Sequence, residues 1–334
     1  MKSKHILLFS LLALAACKTE TGDQNQTTSQ PQMSGIQIDR TDNPEWRHEN
    51  LRLYPLVADA AFVAGHAAAG NYIGLKDAMA MPKFRIVEKK PFGRFGDSGA
   101  VNVLTVENRT NFPVFLMSGD VVKGGNQDRI IAEDMVVPPV AIADAPVFCV
   151  EQGRWQYREE DAGDAAAKKV YAFKGYYNVA SGDLRRTVKE TQNQNEVWAK
   201  VGDITSANDA TNGTSAYTGL EGSEAFVAAR GQYLRYFEGK FGQLENVVGV
   251  IAVNGDNIIG ADVFAHPDLF QKQFPALLHS YVTDAVTHKN TGTLSESKLD
   301  GWFYGFEQAW MKKGASDTKF YDQGMMIHFS HFSR

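Results

Sequence analysis

The sequence predicts an α+β fold in which an antiparallel, β-rich N-terminal half precedes a C-terminal half of helices packed on a β-hairpin. Strand-like runs cluster early, apolar residues at helical spacing dominate the last third, and Asn254–Gly255 sits between two apolar runs as a hairpin signal. Strands followed by helices, and not a strict alternation of the two, argue against a doubly wound parallel sheet.

The elements follow in chain order. Leu51 to Val57 reads as a strand, Gly74 to Met81 as a short helix and Phe84 to Glu88 as a second strand. Val101 to Glu107 alternates apolar and polar residues, Asn108 to Pro113 has turn chemistry, and Val114 to Met117, Arg129 to Val137 and Pro146 to Glu151 complete the β-rich run. From about Gln156 to Gly222 a polar insertion carries one weakly amphipathic helix marked by Leu184, Val188, Thr191 and Trp198. Phe226, Ala229, Tyr233, Phe237 and Phe241 then recur at helical spacing, and Val247 to Val253 meets Ile258 to Phe264 across the hairpin turn. Pro267 suits the first turn of a helix capped by His266, whose face is Phe270, Phe274, Leu277, Leu278, Tyr281 and Ala285. Leu299, Trp302, Phe303, Phe306 and Trp310 form another helix face, and Met325 to Phe332 closes as a strand. Residues 45–334 are expected to fold as one domain.

The N-terminus carries a separate message. Lys2 and Lys4 precede an apolar stretch from Ile6 to Ala16 that ends in Leu14, Ala15, Ala16 and Cys17. A basic start, a short apolar run and small residues make a secretory signal, too short for a membrane-spanning helix of roughly 20 residues. The segment resembles a bacterial lipoprotein signal: residues 1–16 would be removed, and the Cys17 sulfur would carry lipid. Two or three acyl chains there would anchor the chain stably, where one would not. Residues 17–44, rich in Thr, Gln, Ser, Gly and Asp, are expected to form a disordered tether. Lys18 follows the lipidated position in place of Asp, which favours the outer membrane, facing the periplasm or the surface. With Cys17 lipidated, Cys149 has no partner within the chain and reads as a buried thiol in an apolar run.

Composition narrows the chemistry. With a net charge of −5 nothing suggests a nucleic-acid footprint, and no polybasic patch is expected to help the chain onto acidic lipids. There is no nucleophile elbow, P-loop, strand-linked GxGxxG or zinc-type pairing, so no cofactor and no metal are expected. His328 and His331 are three apart in a strand, which places them on opposite faces. One constellation remains: Ser118 to Arg129 is a polar, glycine-rich turn between apolar strands, and Pro146 to Trp155 follows. Gly124 and Gly125 would let the backbone approach an anion, Arg129 and Arg154 offer planar bidentate donors, and Trp155 offers a stacking face. Asp120, Asp128 and Glu151 could orient a ribose or serve as acid and base, with Gln127 and Arg129 on one strand face. The same residues could equally pair with one another at a sheet rim.

The GGNQDR stretch at Gly124 to Arg129, VEQGRW at Val150 to Trp155, NGDNIIGADVF at Asn254 to Phe264 and IHFSHF at Ile327 to Phe332 carry a resemblance to a known family. Over roughly Leu51 to Phe332 the chain resembles the ARG and rhodanese-phosphatase-superfamily-associated protein domain. That resemblance implies a link to ADP-ribose or other NAD-derived ligands and no defined reaction. Three classes of function stand open: an envelope-displayed module binding an anionic nucleotide- or sugar-like ligand, which ranks first; a structural or interaction lipoprotein; and a glycosidic or phosphoester hydrolase. The binding module needs Arg129, Arg154 and Trp155 to converge on a cleft. The hydrolase needs two carboxylates facing each other roughly 5 to 10 Å apart.

Overall fold

The computed structural model describes residues 35–89, 101–154, 172–312 and 319–333. Gln32–Arg334 forms one compact unit. Its architecture is α+β, with antiparallel sheets and a barrel. One sheet runs in the order β1 (Ile36–Ile38), β3 (Leu51–Ala58), β13 (Val247–Asn254), β14 (Asn257–Phe264), β16 (Met325–Phe332) and β15 (Lys319–Asp322), with β2 (Arg47–His48) pairing onto β3. A closed barrel is built from β11 (Ala141–Cys149), β6 (Val103–Asn108), β5 (Phe84–Glu88), β12 (Ala172–Val179), β8 (Asp120–Gly124) and β9 (Arg129–Ile131). A smaller sheet joins β10 (Met135–Val137), β7 (Val114–Leu116) and β4 (Ile73–Gly74). The helices are α1 (Ala60–Gly65), α2 (Leu75–Met79), α3 (Gly182–Thr191), α4 (Gln194–Ala207), α5 (Glu224–Phe237), α6 (Pro267–Thr287) and α7 (Glu296–Met311).

The large sheet is covered on both faces, and its central strand β13 is apolar from Val247 to Val253. All eight residues of β13 are buried. Val248, Ile251 and Val253 pack with Phe303, Phe306 and Leu299 of α7, while Val250 and Ala252 face a core that includes Leu277, Tyr281 and Phe237 from α5 and α6. The pleat divides one strand between two cores. The hairpin forms where the Asn-Gly pair predicts it, with Gly255 at φ +61 and Asn254 opposite Asn257. Gly249 beside the β3 bulge is obligatory, because a Cβ there would stand 2.2 Å from the Asp262 carbonyl oxygen. The helix α6 begins as expected: the His266 ring accepts from the Asp268 N–H, with Pro267 in the first turn.

The barrel has its own interior of Ile86, Leu104, Val106, Val122, Ile131, Val147 and Phe173. The structure departs from the pattern in several places, and the one helix expected through Leu184, Val188, Thr191 and Trp198 is two, α3 and α4. The stretch Arg129 to Val137 is two strands in two sheets, because Asp134 turns inward to accept the Ser118 N–H at 2.7 Å and breaks the run. Within the expected polar insertion, Ala172–Val179 is a barrel strand, and its Phe173 fills the barrel interior. Of the disordered tether expected over residues 17–44, residues 35–44 are described and include regular structure, while 17–34 lie outside the described residues. Ile36–Ile38 pairs with Leu56–Ala58 as an edge strand, and a 3₁₀ turn, Pro44–Trp46, buries Trp46. Two buried isoleucines and one tryptophan outweigh the polar residues around them.

Barrel and sheet meet at a buried charge network. Arg185 of α3 grips Asp262 of β14 with two bonds, Nη1 to Oδ2 at 3.0 Å and Nη2 to Oδ1 at 2.5 Å. Tyr281 of α6 donates to the same carboxylate at 2.5 Å. His328 of β16 bridges Asp262, 3.1 Å from Nε2, and Asp134, 2.6 Å from Nδ1. Gly119, at φ +105, lets the barrel loop pass against the Arg185 stem, which a Cβ would meet at 2.7 Å. Burial disfavours charge on His328, but Asp134 and Asp262 outweigh it and raise its pKa. Burial likewise opposes charge on Asp262, yet Arg185 and His328 hold its carboxyl far below the usual range. His331 lies on the other face of β16, edge-on to Trp302, as the spacing of three requires.

Replacing Asp262 with Ala would leave the buried Arg185 without its carboxylate and His328 with Asp134 alone, and is expected to cost about 3–5 kcal/mol. The urea midpoint reads this, and a loss under about 1 kcal/mol would show that the network is not the tie between the layers. The stability contributed by charged His328 is complete below its ordinary pKa of 6.5 and is lost as pH rises through its raised folded value. The stability gap between wild type and His328→Gln should therefore narrow as pH is raised from about 6 into the alkaline range, and a gap independent of pH would contradict a charged imidazole.

Candidate functional site

The glycine-rich turn and the strand end expected to form a site do converge, at one end of the barrel. Gly124 and Gly125 take φ +123 and +55, and a Cβ on Gly125 would strike Phe173 and Glu88. Asp128, fully buried, accepts from the Gly124 N–H at 3.0 Å and from the Thr218 hydroxyl at 2.7 Å. Arg154 donates to Glu151 at 2.6 Å, to Asp128 at 3.3 Å and to the Gly125 carbonyl at 2.9 Å. Burial would raise the Glu151 pKa, but Arg154 and the Asp128 N–H lower it overall, so the carboxylate is charged. Arg129 is completely buried, donating to the Gln127 carbonyl at 2.9 Å and lying 3.5 Å from Glu88. Gln127 is buried too, and its amide reaches the Gln152 carbonyl at 3.4 Å.

This arrangement answers the sequence expectation in a particular way. Gln127, Asp128, Arg129, Glu151 and Arg154 share one neighbourhood, and among the described residues the arginines face carboxylates and carbonyls of the protein. Each buried cation needs such a partner, so the paired reading of the cluster describes the geometry better than the ligand-facing one. Asp120 belongs elsewhere. At the far end of β8 it accepts from Tyr176 at 2.7 Å and from the Met117 N–H at 2.8 Å, and burial pushes its pKa up to about 7. Trp155 and Cys17 lie outside the described residues.

A cleft of about 650 Å³ opens instead at the hairpin end of the large sheet, a volume typical of small-molecule sites. Its lining brings together Arg47, Arg52 and Lys289, with Glu49 as the acidic residue, beside the rings of Tyr54 and Tyr233. Glu49 is the first residue of the β2–β3 turn and stands at φ +50. Asn50 holds the wall, donating to Asn254 at 2.6 Å and to the Ala285 carbonyl at 2.9 Å, while Tyr233 donates to its side-chain oxygen. The Arg52 guanidinium stacks 4.4 Å above Tyr54. Arg52 and Arg47 approach Asp42 at 3.3 and 3.8 Å, but Asp42 is exposed and such a surface pair is weak. Burial raises the pKa of Tyr54 and Tyr233, which stay neutral. Nothing in the sequence singles out these residues: Arg47 and Arg52 flank a turn, and Lys289 arrives some 240 positions later, just after α6.

A metal could be held by Asp183, Asp284 and His288, whose ligand atoms lie within 4.8 Å of one another. The protein already uses these oxygens. Asp284 accepts from the Gly182 N–H at 2.7 Å at the start of α3, and Asp183 receives His288 at 2.9 Å and Arg186 at 3.0 Å. The trio therefore has a structural role as a helix cap and ion pair.

No curated protein matches the chain, and no solved structure matches its fold. The profile of one family matches residues 40–318, spanning both the barrel and most of the large sheet. On that match the chain belongs to the family of the ARG and rhodanese-phosphatase-superfamily-associated protein domain.

Proposed function

We propose that this domain is an envelope-anchored module that binds a small anionic nucleotide- or sugar-like ligand in the cleft between Arg47, Arg52 and Lys289. One observation carries the reading: three cations against a single carboxylate line a cavity that also offers two aromatic rings. Cations without buried carboxylates are available to a phosphate, the rings suit a base or sugar face, and Asn50 and Asn290 supply neutral polar contacts at the wall. The barrel-end cluster supports the same distinction by contrast, since its arginines are matched by Asp128, Glu151 and Glu88. A hydrolase with two divided carboxylate roles is disfavoured, because Glu49 alone supplies a carboxylate to the cleft among the described residues.

The ligand class follows from the family's name, which associates it with ARG proteins and so favours ADP-ribose as a probe. Calorimetry of the purified domain with ADP-ribose is expected to show binding, weakened about tenfold or more by Arg52→Ala. Absence of heat at high micromolar ligand, or an affinity indifferent to Arg52, would remove the proposal.

Envelope anchoring rests on Lys2, Lys4, the apolar run Ile6 to Ala16 and Cys17. Among the described residues no helix is long and apolar enough to cross a membrane. Cells fed labelled palmitate should label the wild-type protein and leave Cys17→Ser unlabelled; equal labelling of the two would place the lipid elsewhere.

A further inference from the structure

An apolar tip stands exposed on the barrel, formed by the loops after β6 and before β11. Val140 is 76% exposed, Ile142 66% and Phe112 46%, and Pro138 and Pro139 stand exposed between them. Val140 sits at φ +55, in the left-handed region that a β-branched residue strongly disfavours. Glycine or asparagine would fit that backbone without strain, and an exposed valine gains no packing in return. The position carries two costs together, which points to a contact made outside the chain.

The backbone of the tip indicates what that contact is. Asn108, completely buried, donates to three carbonyls of the two loops: Phe112 at 2.8 Å, Val137 at 3.0 Å and Pro138 at 2.9 Å. Its oxygen accepts from the Thr110 N–H at 3.0 Å, and the Thr110 hydroxyl accepts from the Phe112 N–H at 3.2 Å. Pro113, Pro138 and Pro139 have no N–H to satisfy. These loops have therefore turned several of their polar backbone groups inward before any partner arrives. The apolar boundary of a bilayer favours that arrangement, because acyl chains supply no hydrogen-bond partners. Around the apolar residues stand Lys83, Arg85 and Arg109, all exposed, gathered from the start of β5 and the end of β6. Glu107, between Arg85 and Ile142 in the cross-strand row, is already paired with Arg85 at 2.7 Å and Arg109 at 3.1 Å. An otherwise acidic chain thus presents an apolar point with a basic rim.

We propose that this tip inserts into the headgroup region of an anionic lipid bilayer, Phe112, Val140 and Ile142 entering the apolar boundary while Lys83, Arg85 and Arg109 meet lipid phosphates. The interaction uses none of the cleft residues and does not depend on a lipid at Cys17.

The test is flotation of residues 32–334, the compact unit holding every described element, with vesicles of phosphatidylcholine alone or with about one-third phosphatidylglycerol. Binding to the anionic vesicles that declines with salt is expected. Val140→Asp with Ile142→Asp should weaken it about tenfold or more, and Lys83→Glu with Arg109→Glu should remove the preference for anionic lipid. Val140→Gly separates contact from folding: it should raise the melting temperature by relieving the backbone while lowering vesicle binding. Failure to float at any composition, or binding indifferent to both tip variants, overturns the proposal and leaves a protein partner as the occupant. Loss of ADP-ribose binding in Arg52→Ala with vesicle binding intact is the expected sign that the two surfaces are separate.

Discussion

The carboxylate of Asp262 is the constraint around which the rest of the molecule is arranged. A charge with no exposure to water has to be met from every side, and here the partners come from α3, α6 and β16. His328 passes the requirement onward to Asp134, whose other oxygen fixes Ser118 at the barrel loop. Within this network two carboxylates balance a guanidinium and an imidazolium. Hydrophobic burial drives the sheet and the barrel to form, but it is non-directional. The Asp262 chain has bond geometry, and geometry is what fixes one layer against the other in a single register.

Much of this fold was legible in the sequence because it rests on periodicity and turn chemistry. The hairpin at Asn254–Gly255, the helix starting at Pro267 and the opposite faces of His328 and His331 follow from local rules. What was not legible depends on partners distant in sequence. Ala172–Val179 becomes a strand because β5 and β8 offer it edges, not because its own pattern is strong. Ile36–Ile38 is ordered by the free edge of β3. Asp262 could have been noticed as a lone charge in the apolar run Ile258 to Phe264, and His328 as one of two histidines in Met325 to Phe332. The pairing of Asp262 with Arg185 spans 77 positions and with His328 66, and neither leaves a mark in its own segment.

The same distinction separates the two clusters of cations. At the barrel end, Arg129 and Arg154 lie near carboxylates in sequence and in space, and Asp128, Arg129, Glu151 and Arg154 gather in one largely buried cluster. Desolvation explains why: an arginine with no access to water is stable only beside an anion, so a motif that buries arginines brings its own acids. At the hairpin end, Arg47, Arg52 and Lys289 remain at the surface, where water and a weak pair with Asp42 suffice, and their charge stays available to something that arrives later. Motif strength in the sequence therefore tracked structural demand, while the cationic cleft was built from residues with no motif at all.

Both exposed features share one device, a buried or half-buried asparagine holding loops together. Asn50 and Asn254 brace the cleft wall against the end of α6, and Asn108 locks the two loops of the barrel tip. An amide offers two donors and an acceptor without a charge, so it can be buried at the cost of its hydrogen bonds alone. A lysine or an aspartate in the same place would need a counter-charge and would alter the field of the surface it supports. With amides as the braces, the net charge of each loop cluster is set only by the side chains that face outward. The cleft can therefore be cationic and the tip can be apolar with a basic rim, on a chain whose overall charge is −5.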